Sequence, residues 1–246
     1  MIRVAALCAT LLVTAGACSA STDPGARYDV EWFDAPDAAP MAGDGIQELL
    51  SRPWLDAIDV QGEATAGART PRTLESCADY LDVADLRVRP IEGGTTWVIF
   101  QARALHCQAM TLALAARPAT ISHLRPFAFD ESLPDGLPWQ VAMIISGAEA
   151  ERIATGRPDA TWRQALFEPL TEFSSCGTHC ARYGDPGQEQ TLRLLARGDF
   201  NGDGIEDMLL VSFDAVRGGS YRAERMLLLT RRQPQGKVEL IRELEY

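Results

Sequence analysis

The sequence predicts an α+β fold, with an N-terminal helical part followed by a C-terminal antiparallel β-meander. Two patterns carry this prediction. Leu74, Cys77, Tyr80 and Leu81 recur at spacings of three and four, which is typical of one buried helix face. From residue 168 onward, short apolar runs alternate with turn residues, which is typical of strands. The 246 residues suit a single domain, predicted at 46–246.

The helical part is predicted at 46–167. Its first two helices are separated by Pro53, and the next opens at Thr70-Pro71, because a proline in the first turn loses no helical hydrogen bond. The run from Trp97 to Phe100 is open to either a helix or a buried strand. The predicted segments in chain order are helices at 46–50, 54–58, 70–81, the later part of 95–117, 148–154 and 161–167, and a buried strand at 139–145.

The β-rich part is predicted at 168–246, with strands at 192–195, 208–213, 226–230 and 238–244. Glycine-rich or proline-containing turns separate the later strands. Connections this short join antiparallel neighbours, so the strands are expected to form a meander.

Composition excludes several classes of function. The net charge of −11 argues against binding to nucleic acid or to anionic lipid surfaces. Lys237 is the only lysine in the sequence, which almost excludes a P-loop or Schiff-base lysine. No serine-hydrolase elbow, zincin motif or dinucleotide-binding glycine motif is present. A catalytic triad would need His106, His123 or His179, and no serine stands out as its nucleophile.

Residues 1–17 are predicted to be an export signal. Arg3 precedes an apolar run, and Ala15-Gly16-Ala17 forms a small-residue cleavage site. Cys18 follows directly, and this arrangement resembles the bacterial lipobox, which implies an acylated Cys18 and a lipid anchor in the outer membrane. Because Ala15 stands where the lipobox usually has leucine, the alternative is ordinary cleavage, which leaves a soluble periplasmic or secreted protein.

Residues 18–45 are predicted to be a tether between the lipid and the domain. This stretch is rich in Asp, Ala, Pro and Gly and has no sustained apolar period. Tyr28, Trp32 and Phe33 interrupt it. These aromatic residues are expected to dock on the domain, and a recognition patch is the alternative.

Residues 198–207 carry the strongest chemical signal in the chain. Side-chain oxygens recur at Asp199, Asn201 and Asp203, then Gly204 permits a sharp turn and Asp207 supplies a further carboxylate. Calcium takes about 6–8 oxygen ligands in a flexible shell, and this spacing suits it. The stretch is not an EF-hand, because both flanks are predicted strands and the twelfth position lacks the bidentate glutamate.

Residues 198–213 resemble the calcium loop of FG-GAP (VCBS-type) repeats. The resemblance implies a structural calcium ion. It also implies a set of ligands: the side chains of Asp199, Asn201, Asp203 and Asp207, and the carbonyl of Ile205. The sequence has a single copy, whereas a β-propeller needs several blades, so the propeller fold is not implied. The alternative is an Asx/Gly turn that holds no ion.

The cysteines predict disulfides. Four remain after Cys8 and Cys18 are set aside, and an even number in an exported protein favours pairing. Cys176–Cys180 is the natural local bridge, which leaves Cys77–Cys107, although sequence alone permits three pairings. The alternatives are a zinc site that includes His179, or a redox-active thiol pair.

These observations together predict a non-enzymatic, calcium-binding envelope lipoprotein. Its role would be structural or in protein interaction, with an unidentified protein partner in the envelope and with membrane contact through the lipid anchor only. One alternative is an extracytoplasmic hydrolase or thiol-redox enzyme whose active site has no recognisable motif. Another is a carbohydrate- or peptide-binding module that uses Trp97, Trp139 or Trp162 as a stacking platform.

Overall fold

The computed structural model describes residues 27–62 and 71–246. Its helices are Gly43–Leu50 (α1), Cys77–Leu81 (α2), Thr95–Ala115 (α3), Leu133–Gly136 (α4), Gly147–Gly156 (α5) and Trp162–Ala165 (α6). Its strands are Glu31–Trp32 (β1), Ile58–Gln61 (β2), Arg72–Leu74 (β3), Arg89–Pro90 (β4), Glu172–Gly177 (β5), Cys180–Gly184 (β6), Gln188–Gly198 (β7), Asp207–Val216 (β8), Arg222–Thr230 (β9) and Glu239–Leu244 (β10).

The predicted signal peptide at 1–17 and the lipidation residue Cys18 lie outside the described residues. Within the described ranges, no helix has the length and apolar character needed to span a bilayer.

The C-terminal antiparallel sheet is confirmed. Six strands follow one another in the order β10-β9-β8-β7-β6-β5. The four predicted strands correspond to β7, β8, β9 and β10, and the last of them was predicted to begin one residue early, at Val238. The hairpin of β5 and β6 was not predicted, because residues 172–177 contain no apolar run and are largely exposed. β1 pairs with β7 beyond the part that β6 covers, through Glu31 opposite Arg197 and Trp32 opposite Ala196.

The prediction of a distinct N-terminal helical part is wrong. The helices are scattered along the chain, and a three-stranded sheet in the order β3-β2-β4 lies between α1 and α3. The helix predicted at 54–58 is absent, and its last residue, Ile58, begins β2. In this strand Ile58 and Val60 are buried, and Asp59 between them is exposed. Two β-branched residues at a spacing of two fit a half-buried strand better than a helix face.

The predicted helix at 70–81 is confirmed only in its last part. Leu74 belongs to β3 and pairs with Ile58. The helix begins at Cys77, because the Ser76 hydroxyl accepts a hydrogen bond from the Asp79 N–H and so caps the helix N-terminus. The disulfide between Cys77 and Cys107 then joins this short helix to α3.

The buried strand predicted at 139–145 is also wrong. The segment begins as a 3₁₀ turn at Trp139–Val141 and then runs without a strand partner. Its polar backbone groups are satisfied by side chains: the Arg225 guanidinium donates to the carbonyls of residues 140–142, and the Gln190 amide oxygen accepts from Met143 N–H. Burial of this apolar run therefore does not need sheet pairing.

The main sheet is covered on both faces. Leu209 and Val211 of β8 face a core shared with α1, α2, α3 and the small sheet. Met208 and Leu210 face a second core shared with the α4–α6 region. A strand buried on both faces shows a continuous apolar run, which is why β7, β8 and β9 stand out in the sequence.

The aromatic residues of the predicted tether dock on the domain. Trp32 is fully buried in the first core, and Phe33 is buried in the second. Tyr28 forms a β-bridge with Ala119. Residues 27–45 are therefore packed against the domain, and the docking interpretation of these aromatics is confirmed.

Candidate functional site

The predicted calcium loop connects β7 to β8 at one end of the main sheet. The strand register ends with Gly198 opposite Asp207, so the first and last candidate ligands start from adjacent strands. Gly202 and Gly204 have φ angles of 81° and 84°, in the left-handed region that glycine tolerates. The arrangement is strand–loop–strand, as the sequence predicted.

The loop folds its polar side chains back onto its own backbone. The Asp199 carboxylate accepts hydrogen bonds from the N–H groups of residues 202–204 at 2.6–3.1 Å. Asn201 Oδ1 accepts from the Asp203 N–H at 2.8 Å, and Asp203 Oδ1 accepts from the Ile205 N–H at 2.9 Å. Asp199 Oδ1 accepts two of these bonds, whereas Asp199 Oδ2, Asn201 Oδ1 and Asp203 Oδ1 accept one each, so these three oxygens keep a second lone pair for a cation.

Asp207 is the candidate ligand whose carboxylate has a buried oxygen without a hydrogen-bond partner. It is fully buried, its Oδ2 accepts from the Phe200 N–H at 3.1 Å, and its Oδ1 has no hydrogen-bond partner. Thr230 lies opposite it in the strand register, and the hydroxyl of Thr230 is also unpartnered. Burial raises the pKa of Asp207 to about 6. The nearby Thr230 hydroxyl and the Phe200 N–H oppose this rise, and the carboxylates of Asp203 and Asp199 add to it.

The remaining Asp203 oxygen is near a cation of the protein itself. Arg232 Nη1 lies 3.3 Å from Asp203 Oδ2 in a solvent-accessible ion pair. Across residues 27–62 and 71–246, no three His, Cys, Asp or Glu side chains converge closely enough to hold a metal ion as they stand. The donor set itself is made of hard oxygen atoms and suits calcium, and the unsatisfied Asp207 oxygen fits a cation.

The loop is fixed to the irregular segment at 117–125. The Gly204 carbonyl accepts from the Thr120 N–H at 2.9 Å, from the Thr120 hydroxyl at 3.1 Å and from the Ile121 N–H at 3.2 Å. Arg117 and Asp199 exchange both of their backbone hydrogen bonds. The loop is therefore held from outside at its beginning and at its middle.

Glu206 is a structural carboxylate that the sequence did not single out. It is fully buried and accepts from Arg125 Nε at 2.9 Å, from Arg125 Nη2 at 2.6 Å and from the Ser122 hydroxyl at 2.6 Å. The same Arg125 donates to Glu31 of β1 at 2.7 Å. No short-range pattern reveals this pairing, because Arg125 and Glu206 are 81 residues apart.

Both predicted disulfides are present. Cys77 pairs with Cys107 and Cys176 pairs with Cys180, with Cα–Cα distances of 5.2 and 5.0 Å that are usual for the bond. The sulfurs of Cys176 and Cys180 are bonded to each other, so they are not zinc ligands beside His179.

The candidate catalytic histidines are packed against aromatic rings. His106 meets Trp32 edge-on at 5.3 Å, and burial with the nearby Arg193 lowers the pKa of His106 to about 4. His179 lies 4.5 Å from the Phe33 ring, and burial lowers its pKa as well. Both histidines are therefore neutral packing residues near pH 7, and neither lines the cavity of about 620 Å³ described below.

The candidate stacking residues separate into core and cavity positions. Trp162 is fully buried and meets Tyr183 edge-on at 4.9 Å, so it has no face free for a ligand. Trp139 is partly buried and packs against the second core. Trp97 is partly buried and lines a cavity together with Tyr246. Of the three tryptophans, Trp97 is the one beside open space.

No protein-family model, curated protein or solved structure matches this chain. The resemblance to FG-GAP loops therefore remains confined to residues 198–213, and a function has to be argued from the contacts of the chain itself.

Proposed function

We propose that this chain is a calcium-stabilised protein of the bacterial envelope that acts without catalysis, through contacts with another envelope protein. In this proposal Cys18 is acylated and anchors the protein to the outer membrane. The alternatives are release into the periplasm and secretion. The observation that carries the calcium part is the buried, unpartnered Oδ1 of Asp207 within an oxygen-rich loop.

An ionised carboxylate buried without a partner costs folding free energy, and a bound cation offsets that cost. Asp207 is in this position, since its raised pKa shows that its environment disfavours the charged form. The other proposed ligands are the side chains of Asp199, Asn201 and Asp203 and the Ile205 carbonyl. When bound, calcium would supply positive charge to this carboxylate-rich loop and stabilise the folded state by mass action, by about 2.7 kcal/mol at a hundredfold excess over Kd.

A structural role for the ion is favoured over a catalytic one. The loop is anchored by backbone hydrogen bonds to residues 117–125, and its ends are the ends of two central strands. Two groups beside the candidate ligands are the Arg232 guanidinium and the Thr230 hydroxyl. The carboxylate beside the Thr230 hydroxyl is that of Asp207, which this proposal assigns to the ion, so it does not serve as the general base that an activated nucleophile would need.

The calcium part is tested by calorimetric titration and by thermal melting of the exported protein in calcium, in magnesium and in chelator. We expect calcium to raise the melting temperature. Asp203→Ala should remove the rise in melting temperature. The matched control Asp85→Ala should keep it, because Asp85 is exposed and lies outside the 198–207 loop. Equal melting temperatures of the unaltered protein in calcium and in chelator would refute the proposal and leave the ion-free turn.

The anchor is tested separately by mass spectrometry of the N-terminal peptide from the membrane fraction. We expect a lipid-modified Cys18, and we expect Cys18→Ser to release the protein into the soluble fraction. An unmodified Cys18 in the soluble fraction of the unaltered protein would favour the periplasmic or secreted alternative.

A further inference from the structure

A cavity of about 620 Å³ lies between α3 and the face of strands β7 to β10, away from the calcium loop. Its volume is within the range of about 300–1,000 Å³ that small-molecule sites occupy. One wall is apolar and includes Val98, Leu105 and Phe213. Val98 is 53% exposed and Phe213 is 41% exposed, so this wall holds apolar surface that the protein itself does not cover.

The lining of the cavity is also acidic, and its acidic and apolar parts adjoin, because Glu224 pairs with Phe213 in the register of β8 and β9. Five carboxylates and one guanidinium line it: Glu189, Asp214, Glu224, Glu243, Glu245 and Arg222. Some of these charges are already paired within the protein. Asp214 accepts from Arg225 at 2.8 Å, and Glu189 is within 3.5 Å of two arginines.

Glu224 differs from the paired acids. In the described part of the chain its carboxylate forms no hydrogen bond and no ion pair within 4.0 Å. Burial raises the pKa of Glu224 to about 7, and the more distant Arg193 opposes the rise only in part. The cavity thus contains a partly buried carboxylate without the positive partner that Glu189, Asp214 and Glu243 have.

The aromatic ring at the cavity edge is held in place. The Tyr246 hydroxyl donates to the Val88 carbonyl, and its ring meets Trp97 and Phe100 edge-on at 5.6 and 5.2 Å. Tyr246 lines the cavity together with Phe213. Aromatic faces attract organic cations as well as apolar groups. The aromatic part of the lining and its acidic part therefore both favour a ligand that carries a positive charge.

We infer that this cavity binds an amphipathic organic cation, in which a primary amine or guanidinium group is carried on an apolar or aromatic body. The cationic group would pair with Glu224, and the body would pack on Val98 and Phe213. The apolar wall distinguishes this ligand from a bare metal ion, which gains nothing from it. The inference does not depend on calcium at the 198–207 loop.

The test uses 2-phenylethylamine as the probe and the neutral 2-phenylethanol as its matched control, with binding followed by calorimetry and by NMR shifts of the exported protein. We expect the amine to bind at least tenfold more tightly than the alcohol. Glu224→Gln should weaken amine binding about tenfold, and Val98→Arg, at an exposed helix position, should abolish it. Glu131→Gln, at an exposed site outside the cavity, should leave the affinity unchanged.

Equal affinity for amine and alcohol would overturn the inference, as would unchanged affinity in both cavity variants or shifts located outside the cavity. Circular dichroism of each variant shows whether a loss of binding reflects unfolding. Calcium titration of the same variants separates the two proposals, because cavity variants should keep their calcium response and Asp203→Ala should keep its amine binding.

Discussion

Asp207→Asn is the substitution that most directly tests the role of the loop. It replaces a buried carboxylate by an amide of the same shape, and the new N–H₂ group can donate to the unpartnered Thr230 hydroxyl opposite. Burial raises the pKa of Asp207 from 3.8 to about 6. At about 1.36 kcal/mol per pKa unit, the ionised carboxylate costs the folded protein about 3 kcal/mol above pH 6.

The sign of the pH dependence follows from the raised pKa. Since the folded state of Asp207 holds its proton more tightly than the unfolded state, the stabilisation from this group is complete below about pH 4. It is lost as the pH rises through about 6. In metal-free buffer at pH 8 we therefore expect Asp207→Asn to be more stable than the unaltered protein by up to about 3 kcal/mol. At pH 4 the two should be nearly equal.

Calcium should reverse this order. Bound calcium would stabilise the unaltered protein, whereas the variant has lost a charged ligand and should gain little. The assay is urea unfolding at pH 4 and pH 8, with and without calcium, and Asp85→Asn is the control at an exposed site. If the variant is less stable than the unaltered protein at pH 8 without metal, the argument from unpaired burial is wrong. If calcium stabilises both equally, Asp207 is not a ligand.

Three further predictions follow from the same contacts. Arg125→Ala should cost about 3 kcal/mol in urea unfolding, because it leaves Glu206 buried without its cationic partner and with only the Ser122 hydroxyl as a side-chain donor; a loss below 1 kcal/mol would contradict this. Arg232→Ala should tighten calcium binding several-fold in calorimetry by removing a competing cation, and unchanged affinity would refute that. Replacing Cys77 and Cys107, which are 30 residues apart, by serines should lower the free energy of unfolding by about 3–4 kcal/mol. The same change at Cys176 and Cys180, which are four residues apart, should lower it by about 2 kcal/mol, and the reverse order would refute the loop-entropy argument.

The sequence predicted those parts of the fold whose signal is local and strong. The strands of the main sheet are apolar on both faces, so Met208 to Val211 stands out without any knowledge of its neighbours. The small sheet was missed, because β2, β3 and β4 have only two to four residues each and are defined by long-range pairing. The pairing of Ile58 with Leu74 links two segments that the sequence, considered locally, predicts as helices.

The candidate site divides in the same way. The five proposed calcium ligands lie within nine residues, so their spacing was sufficient to name them. The Asp207 environment was not predictable, since its burial depends on β8 and β9 pairing beneath the loop. The cavity beside Glu224 was equally hidden, because its walls come from α3 and from strands about a hundred residues later in the chain.

The surroundings of the loop explain why one short acidic stretch matters for the whole domain. Arg125 is bonded both to Glu206, next to the last proposed ligand, and to Glu31 in β1. Trp32, beside Glu31, is fully buried in the first core and pairs with β7 just before the loop begins. The loop thus joins the N-terminal segment, the 117–125 segment and the main sheet at one point. A cation bound there would add to the contacts that already join all three.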